Sequence, residues 1–339
     1  MATEKRLNVS VLGGGSWGTA LAVLLHSRGH LVRVWEFYPE RARAMREARE
    51  NTDMLPGIRI PDDIVITSEI DEALNRTHVI TVVVPSHGLR ATVEKAAPLL
   101  KGNEILVIAT KGIEQGTLKR MSEVTRDVTG VPEDRIAVLV GPSHAEEVSR
   151  GLPTTAVSSS EFEATAMRIQ KIFMTPTFRV YSNTDVVGVE SGASLKNVIA
   201  IAAGMCDGLG FGDNTKGALL TRGLAEMTRL GVKMGARQAT FSGLAGLGDM
   251  VTTCISRHSR NRYVGEEIGK GRTLEEVLSG MVMVAEGVRT TKSAVGLAER
   301  HQVEMPIAAE VFDILFKDKP VKEAIRELML RSPKPEIWW

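Results

Sequence analysis

The segment GASLKNVIAIAAGMC, residues 192–206, places a lysine and an asparagine inside an otherwise small and apolar helical pattern. Lys196 is the only charged residue between Glu190 and Asp207. Removing an ammonium from water lowers its pKa, so a lysine in such surroundings can exchange protons near neutral pH. Asn197 can orient a hydroxyl or a carbonyl group. The alternative is a buried lysine stem whose amine reaches the surface.

A glycine-rich turn lies near the start of the chain. The stretch VLGGGSWGTAL places Gly13, Gly15 and Gly18 in a G-x-G-x-x-G spacing, directly after a β-rich run and at the start of a helical pattern. Such a loop permits a tight turn and a close approach of the backbone to a pyrophosphate, and the helix N-terminus offers free N–H groups to the anion. This context favours dinucleotide binding over a purely structural turn.

The end of the second predicted strand, WEFYPE, bears on the choice of dinucleotide. Glu36 stands where an acid accepts hydrogen bonds from an unphosphorylated ribose, which favours NAD. Arg41 and Arg43 suit a 2′-phosphate or simply an exposed helix face. Phe37 and Tyr38 suit packing on adenine or covering the sheet edge. The predicted cofactor is therefore NAD(P)H.

Two further segments place polar groups just after buried strands, where open α/β sheets bind ligands. Lys111 follows the strand in VIATKGIE, and Gly141 and Ser143 follow the strand in VLVGPSHAEEV. The alternatives are a solvated loop lysine for Lys111 and a helix N-cap for Ser143, with His144 in the first helical turn.

Two candidate groups lie further along the chain. In FSGLAGLGDMVTTC, Asp249 is a natural partner for a buried ammonium, with Thr253 one turn on; a helix cap is the alternative for Asp249. In HSRNRYVGEEIG, Ser259 can cap a helix that has Arg260 and Asn261 in its first turn. A basic residue there opposes the helix dipole, and a bound phosphate would resolve the conflict.

The elements that must position these residues are a run of strands and helices followed by helices alone. Strands are predicted within residues 7–13, 31–37, 77–85, 103–112, 135–143, 151–159 and 177–183. Strands separated by helices imply a parallel, doubly wound sheet. The sequence thus predicts an α/β fold: a Rossmann-type dinucleotide-binding domain, residues 1–185, and an all-helical substrate-binding domain, residues 186–339. The tail after Pro333 is expected to be frayed.

Composition excludes several classes of protein. The 339 residues are 43% hydrophobic and 24% charged, with a net charge of +1, and only 4% are aromatic. No basic block or base-stacking platform suggests nucleic-acid binding. No leader peptide or membrane span is expected, and Cys206 and Cys254 are too few for a disulfide framework or a zinc site. We expect a reduced cytoplasmic protein without a metal.

Taken together, these motifs resemble NAD(P)-dependent glycerol-3-phosphate dehydrogenase of the bacterial type, from about residue 7 to residue 330. The resemblance rests on GGGSWGTALA, VVVPSH, ATKGIE, GPSHAEEV, LKNVIAIAAGMCDGLGFGDN, TRGLAEMTRLG, GLAGLGDMVTTC, SRNR and VAEGVRTTK. It implies reversible reduction of dihydroxyacetone phosphate to sn-glycerol 3-phosphate, which feeds phospholipid synthesis. It also implies an N-terminal Rossmann-type domain and a helical C-terminal domain.

The resemblance also implies roles for residues, together with the assignments made above. Lys196 is the proton-transferring residue, and the catalytic set comprises Lys196, Lys111, Asp249, Asn197 and Thr253. The substrate-binding set comprises Lys111, Gly141, Ser143, Lys196, Asp249, Ser259, Arg260 and Asn261. The cofactor-binding set comprises Gly13, Gly15, Ser16, Trp17, Gly18, Glu36, Phe37, Lys111, Ala145, Arg260, Val284 and Glu286.

Three points stay open at this level. Many bacterial relatives carry a basic residue or histidine just after the second-strand tryptophan, whereas this chain has Glu36, so NADH and NADPH both remain candidates. The small-residue helix at 188–204 can pack within the chain or against a second copy, and a homodimer is expected. Rival functions are a two-domain dehydrogenase acting on a hydroxy acid or a sugar acid such as 6-phosphogluconate, and an NAD(H)-binding redox sensor.

Overall fold

The computed structural model describes residues 6–333 and 335–336. The expected fraying after Pro333 concerns residues that mostly lie outside this description. The chain divides into two compact units. The first comprises the residues up to Lys111 together with Lys119–Val189, and the second comprises Gly112–Leu118 together with the chain from Glu190 onward.

The first unit alternates strands and helices, as the sequence predicted. Its elements are β1 (Asn8–Leu12), α1 (Ser16–Ser27), β2 (Leu31–Trp35), α2 (Pro39–Ala48), β3 (Glu50–Asn51), β4 (Leu55–Arg59), β5 (Val65–Thr67), α3 (Ile70–Leu74), β6 (Val79–Val82), α4 (Ser86–Ala96), β7 (Ile105–Ile108), α5 (Met121–Thr129), β8 (Ile136–Val140), α6 (Ala145–Val148), β9 (Thr154–Ser159), α7 (Glu163–Phe173) and β10 (Phe178–Asn183). Short 3₁₀ turns lie at Ala97–Leu99 and Glu133–Arg135.

Eight of these strands form one sheet in the order β10-β9-β8-β7-β6-β1-β2-β5. Every residue of β6, β7 and β8 is buried, because helices in the crossovers cover both faces of a parallel sheet. The resulting core joins residues of β1, β2, β7 and α1 with Phe173 of α7. The predicted Rossmann-type fold is confirmed.

One prediction about this sheet is wrong in part. Strand β9 runs antiparallel to β8, with Val140 opposite Val157, whereas all other neighbouring pairs in the sheet are parallel. A parallel return needs a crossover long enough to run back along the sheet. The connection from β8 to β9 contains only the four-residue helix α6, so the chain re-enters the sheet at the end where it left.

The sequence also failed to indicate strands in the segment between α2 and β6. Strands β3 and β4 form an antiparallel hairpin with a register shift at Glu50 and Asn51, and β5 pairs with β2 at the sheet edge. We refer to residues 50–59 as the β3–β4 hairpin. It begins after Arg49, which takes a left-handed conformation (φ 49°) and ends α2.

From Glu190 onward, the described residues of the second unit form helices and connecting loops, with no β-strand among them. Its helices are α8 (Val186–Gly208), whose first four residues belong to the first unit, α9 (Asp213–Lys233), α10 (Gln238–Phe241), α11 (Asp249–Ile255), α12 (Arg260–Gly269), α13 (Leu274–Ser279), α14 (Glu286–His301), α15 (Pro306–Lys317) and α16 (Val321–Met329). A π-helical turn, Leu244–Gly248, precedes α11. The all-helical prediction is confirmed for these residues.

Helix α8 is long and apolar enough to span a membrane by length and composition, but 94% of its most apolar window is buried inside the protein. Its small residues pack within the chain. Gly204 and Gly208 face Gly265 and Gly269 of α12 so closely that a Cβ on Gly204 would lie 1.9 Å from the carbonyl oxygen of Arg262. We call this contact the α8–α12 crossing.

Polar contacts reinforce the α8–α12 crossing. Asp207, near the end of α8, accepts a hydrogen bond from Arg262 Nε at 2.6 Å and also pairs with Lys216 of α9. Arg262 further pairs with Glu266 one turn along α12. Because the backbones touch and these ion pairs lie beside the contact, the two helices form a fixed pair within the second unit.

The segment Gly112–Leu118, which we call the strap, belongs to the second unit although both its flanks belong to the first. Ser293 Oγ donates to the carbonyl of Ile113 at 3.2 Å, and Arg300 donates to the carbonyl of Thr117 at 3.2 Å. Both donors lie on α14, so the strap is bound along that helix.

A buried carboxylate joins α9 to the start of α15. Glu226, 2% exposed, accepts hydrogen bonds from the backbone N–H groups of Ile307 at 2.8 Å and Ala308 at 3.3 Å. It thereby caps a helix of another segment of the chain. Burial raises the pKa of Glu226 from 4.5 to about 7, against the opposing effect of these N–H donors.

This pKa makes stability depend on pH. The folded protein holds the Glu226 proton more tightly than the unfolded chain does, so its contribution is greatest below the unfolded pKa of 4.5 and is lost as the pH rises through about 7. Between pH 5 and pH 8 the loss is about 2 kcal/mol. Chemical denaturation across this range should show that the free energy of unfolding falls as the pH rises, and that it falls less in Glu226→Gln. The exposed-site variant Glu299→Gln should keep the decline, and an unchanged slope in Glu226→Gln would contradict this origin.

Candidate active site

The glycine turn has the geometry that the motif predicts. Gly13 has φ +123°, and a Cβ there would lie 2.8 Å from the carbonyl oxygen of Val83. A Cβ on Gly18 would lie 1.8 Å from the carbonyl oxygen of Gly13. Gly15 is the N-cap of α1, and Ser16 and Trp17 form the first turn of that helix. The loop therefore packs against the backbone directly after β6 on one side and against the first turn of α1 on the other.

Glu36 lies at the end of β2, with its carboxylate beside this turn. The side chain is 6% exposed, and a Cβ on Gly14 would lie 2.5 Å from Glu36 Oε2. Glu36 Oε1 accepts a hydrogen bond from the Tyr38 backbone N–H at 3.1 Å. Burial raises the pKa of Glu36, while the Tyr38 and Gly14 N–H groups and Arg41 oppose the shift. The acid predicted for the ribose thus faces the glycine turn.

The aromatic residues after Glu36 point outward. Phe37 is 53% exposed and lies edge-on to Tyr38 with ring centroids 5.0 Å apart. The guanidinium of Arg41 lies 4.7 Å from the Tyr38 ring centroid, and Lys95 Nζ lies 4.8 Å from the Phe37 centroid. Two exposed aromatic rings, each with a cation over it, thus follow the acid in the chain.

The groups predicted after β7 and β8 lie together within the first unit. Lys111 Nζ donates to the carbonyl of Gly141 at 2.9 Å, and Ser143 Oγ donates to the same carbonyl at 3.1 Å. Ala145 is buried and begins α6. The N-cap of α6 is His144, so the alternative assignment of Ser143 as the N-cap is wrong. The short helix starts one residue later than a Ser143 cap requires.

Lys196 is buried and paired. It is 5% exposed, and its Nζ donates to Asp249 Oδ1 at 2.7 Å and to the hydroxyl of Thr253. The alternative in which the amine reaches the surface is wrong, because the charge partner lies inside the second unit. Asp249 begins α11 directly after the π-helical turn, and its carboxylate faces Lys196. The hydroxyl of Thr253, one turn later, also donates to the backbone carbonyl of Asp249 at 2.6 Å.

Cys254 lies next to Thr253 and contributes no reactive thiolate. It is fully buried, and burial raises the pKa of its thiol to about 12. A neutral thiol is a poor nucleophile and a poor base near pH 7. The ionisable chemistry in this part of the second unit therefore belongs to Lys196 and Asp249.

Asn197 is tied to the start of two other helices. Its Oδ1 accepts from Asn261 Nδ2 at 2.9 Å, and Asn261 Oδ1 accepts from the backbone N–H of Gly287 at 2.8 Å. Asn261 belongs to the first turn of α12, and Gly287 to the first turn of α14. Because Asn197 uses its oxygen in this bond, its amide N–H groups are available as donors.

The helix start predicted for a phosphate is present. Ser259 is the N-cap of α12, and its Oγ accepts from the Arg262 N–H at 3.2 Å. Arg260 is the first residue of that helix, and its Nη1 lies 3.4 Å from the carbonyl oxygen of Val284. Glu286 begins α14, two residues after Val284. These residues share one neighbourhood of the second unit.

The candidate residues are thus divided between the two units. The first unit contains Gly13, Gly15, Ser16, Trp17, Gly18, Glu36, Phe37, Lys111, Gly141, Ser143 and Ala145. The second contains Lys196, Asn197, Asp249, Thr253, Ser259, Arg260, Asn261, Val284 and Glu286. Sequence reasoning missed Asn51, which contacts the glycine turn from the β3–β4 hairpin, and Arg262, which holds the α8–α12 crossing.

Most of the chain matches one known family. A model described as the NAD-dependent glycerol-3-phosphate dehydrogenase N-terminus matches residues 8–166, and the model of the C-terminus of the same family matches residues 185–326. The chain belongs to the glycerol-3-phosphate dehydrogenase family. Its curated relatives include "Glycerol-3-phosphate dehydrogenase [NAD(P)+]" from Prosthecochloris aestuarii, which is 52% identical over 97% of this chain and 99% of the relative.

Other members of the glycerol-3-phosphate dehydrogenase family agree with this assignment. The protein of the same name from Chlorobium limicola is 51% identical over 98% of this chain and 100% of its own length. A solved structure of glycerol-3-phosphate dehydrogenase from Coxiella burnetii superposes with a TM-score of 0.92 at 36% identity, covering 96% of this chain and 99% of that one. The fold and the motif order that the resemblance implied are thus those of the family.

Proposed function

We propose that this chain catalyses the reversible NAD(P)-dependent interconversion of dihydroxyacetone phosphate and sn-glycerol 3-phosphate. The observation that carries the proposal is the buried Lys196, paired with Asp249 and followed by an asparagine bonded to the α12 helix start. This arrangement holds a proton donor in fixed relation to a helix N-terminus suited to phosphate. Membership of the family supports the same reaction.

The first unit fits a nicotinamide dinucleotide. The glycine turn leaves no room for a Cβ at Gly13 or Gly18, and Gly15 caps α1, which together make a backbone cradle for a pyrophosphate. Ser16 and Trp17 would contact the pyrophosphate, Glu36 the ribose and Phe37 the adenine. The remaining contacts in this proposal come from Lys111, Ala145, Arg260, Val284 and Glu286.

In the proposed reduction, Lys196 donates a proton to the carbonyl oxygen of the ketone, and in the oxidation it takes the proton back. The bound nicotinamide supplies the hydride that reaches C2. Asp249 and Thr253 fix the Lys196 ammonium through the hydrogen bonds described above. The amide of Asn197 and the ammonium of Lys111 stabilise negative charge on the oxygen.

The substrate phosphate is proposed to bind at the start of α12. Ser259 and Asn261 place polar groups there, and Arg260 supplies a guanidinium in a position that otherwise opposes the helix dipole. Gly141 and Ser143 of the first unit complete the proposed substrate contacts. Anchoring the phosphate would fix the distance from the carbonyl carbon to Lys196. The binding energy of the phosphate would thus be used to orient the substrate.

An absorbance assay of NADH oxidation with dihydroxyacetone phosphate tests the proposed reaction. We expect turnover with this ketone and none with a non-phosphorylated hydroxy acid or with 6-phosphogluconate. Thermal protection by sn-glycerol 3-phosphate but not by glycerol would support the phosphate site. Binding of NADH without turnover of any of these compounds would favour the redox-sensor alternative and contradict the proposal.

The buried Glu36 predicts a preference for NADH. An ionised carboxylate beside the glycine turn would face the 2′-phosphate of NADPH, and like charges in such positions are strongly unfavourable. We expect kcat/KM for NADH to exceed that for NADPH by at least about tenfold. Glu36→Ser should lower the ratio of kcat/KM for NADH to kcat/KM for NADPH. Glu40→Ser, on the exposed start of α2, should leave this ratio unchanged. A wild-type enzyme that prefers NADPH would contradict this role of Glu36.

The biological setting of the enzyme is part of the proposal. Glycerol 3-phosphate made by this chain would supply phospholipid synthesis in the cytoplasm, with a homodimer as the working form. Residues 1–185 are proposed as the dinucleotide-binding domain and residues 186–339 as the substrate-binding domain. Phospholipid labelling in a depletion strain, cell fractionation and light scattering would test these points separately.

A further inference from the structure

The β3–β4 hairpin contributes one buried amide to the glycine turn. Asn51 is 5% exposed, and its Nδ2 donates to the carbonyl of Gly14 at 2.8 Å and to the hydroxyl of Thr19 at 3.0 Å. Its Oδ1 accepts from the backbone N–H of Met54 at 3.3 Å. Both ends of the amide are thus bonded, and these partners determine its orientation.

These contacts fix the plane of the peptide bond between Gly14 and Gly15. The carbonyl oxygen and the N–H of a trans peptide point in opposite directions, so holding the Gly14 carbonyl on Asn51 turns the Gly15 N–H away from the hairpin. The preceding peptide is also held, because the N–H of Gly14 faces the Glu36 carboxylate. Glycine peptides rotate more easily than others, and such restraint is needed to keep one orientation.

The hairpin is anchored independently of Asn51. Leu55 is buried in a small cluster with Ala20 of α1 and Ala145 of α6. At the base of the hairpin, Arg49 donates to the carbonyl of Ile64 at 2.9 Å, and its own carbonyl accepts from the Ile60 N–H at 2.7 Å. The amide of Asn51 is therefore presented by a segment that packing already holds against α1.

We propose that Asn51 is a positioning residue for the cofactor: it presets the Gly14–Gly15 peptide so that the Gly15 N–H meets the pyrophosphate. The inference rests on the proposed dinucleotide site. Without the amide, the peptide populates several orientations, and binding must select one of them, which lowers the apparent affinity. The effect falls on ligands with a pyrophosphate and spares those without one.

Binding measurements with ADP-ribose and with adenosine test the role. In Asn51→Ala, we expect the Kd for ADP-ribose to rise about tenfold, which corresponds to the loss of roughly one hydrogen bond. The Kd for adenosine should stay unchanged. Asn51→Asp, which keeps the shape of the side chain, should weaken ADP-ribose binding further because its carboxylate faces the Gly14 carbonyl oxygen. Calorimetry serves for ADP-ribose and titration by NMR for adenosine.

The matched control is Asn8→Ala, which removes an asparagine of the same unit whose Nδ2 donates to the Arg76 carbonyl at 2.9 Å. It should leave both ligands unaffected. Thermal unfolding without ligand shows whether Asn51→Ala is folded. If it is not, the two Kd values are compared between the wild type and Asn51→Asp. Equal losses for both ligands, or no loss in a folded variant, would overturn the positioning role. A wild-type protein that binds neither ligand would instead contradict the dinucleotide site.

Discussion

Replacing Lys196 with alanine is expected to lower kcat by at least about a hundredfold, the lower end of the usual contribution of a general acid. The variant should still bind NADH, because the glycine turn and Glu36 belong to the first unit. Steady-state kinetics with dihydroxyacetone phosphate and NADH titration by fluorescence measure the two properties. Turnover similar to that of the wild type would remove the proposed mechanism.

The same substitution leaves Asp249 buried without its partner. Breaking a buried ion pair from one side typically costs about 3 to 5 kcal/mol, so a loss of activity in Lys196→Ala alone could reflect unfolding. The double variant Lys196→Ala, Asp249→Asn removes both charges and should recover much of the stability while remaining inactive. Recovery of turnover in the double variant would show that the ion pair serves the fold and not proton transfer.

Replacing Gly265 with alanine is expected to destabilise the protein by about 3 kcal/mol or more, at the upper end of overpacking effects. A Cβ at this position would lie 1.9 Å from the carbonyl oxygen of Ile201, and neither backbone can yield without parting α8 from α12. Because α12 begins at Arg260 and α8 carries Lys196, kcat/KM for dihydroxyacetone phosphate should fall as well. Chemical denaturation and steady-state kinetics measure the two effects.

A second helical glycine provides the control. Gly217 lies in α9, and apart from its two chain neighbours and the adjacent backbone of its own helix, nothing lies within 4 Å of the position that its Cβ would take. Gly217→Ala should stabilise the protein by up to about 1 kcal/mol, the ordinary difference in helix propensity. Similar behaviour of the two alanine variants would mean that the α8–α12 crossing tolerates separation, against the expectation drawn from its geometry.

Local sequence patterns predicted most of the sheet because its central strands are buried on both faces. Runs such as Val79–Val82 and Ile105–Ile108 are almost wholly apolar, and the covering helices make that composition necessary. The direction of β9 could not be predicted in this way. It depends on how far the preceding connection travels, and the sequence of β9 itself carries no information about that distance.

The β3–β4 hairpin escaped prediction for a different reason. Its first strand has two residues, and Leu55-Pro56-Gly57 in the second has the composition of a turn. These strands are held by tertiary contacts, through the burial of Leu55 and the hydrogen bonds of Asn51, and propensity is a weak guide in such cases.

The residues of the candidate site that could be predicted are those that are unfavourable in their local sequence context. A lysine inside an apolar helix and an arginine at a helix start are unfavourable alone, and such conflicts mark functional positions. The pairing of Lys196 with Asp249 was expected from charge, and the structure confirms it. The link from Asn197 through Asn261 to Gly287 was not, because it joins three helices whose packing no single segment specifies.

The strap has a practical consequence for dissecting this enzyme. A gene fragment that starts at residue 186 would encode α14 without the peptide Gly112–Leu118, so Ser293 and Arg300 would lose the carbonyl groups to which they donate. The second unit is therefore built from two separate stretches of the amino-acid sequence. Truncation alone cannot isolate it, whereas joining the strap to the fragment through a linker, or adding it as a synthetic peptide, could restore the missing piece.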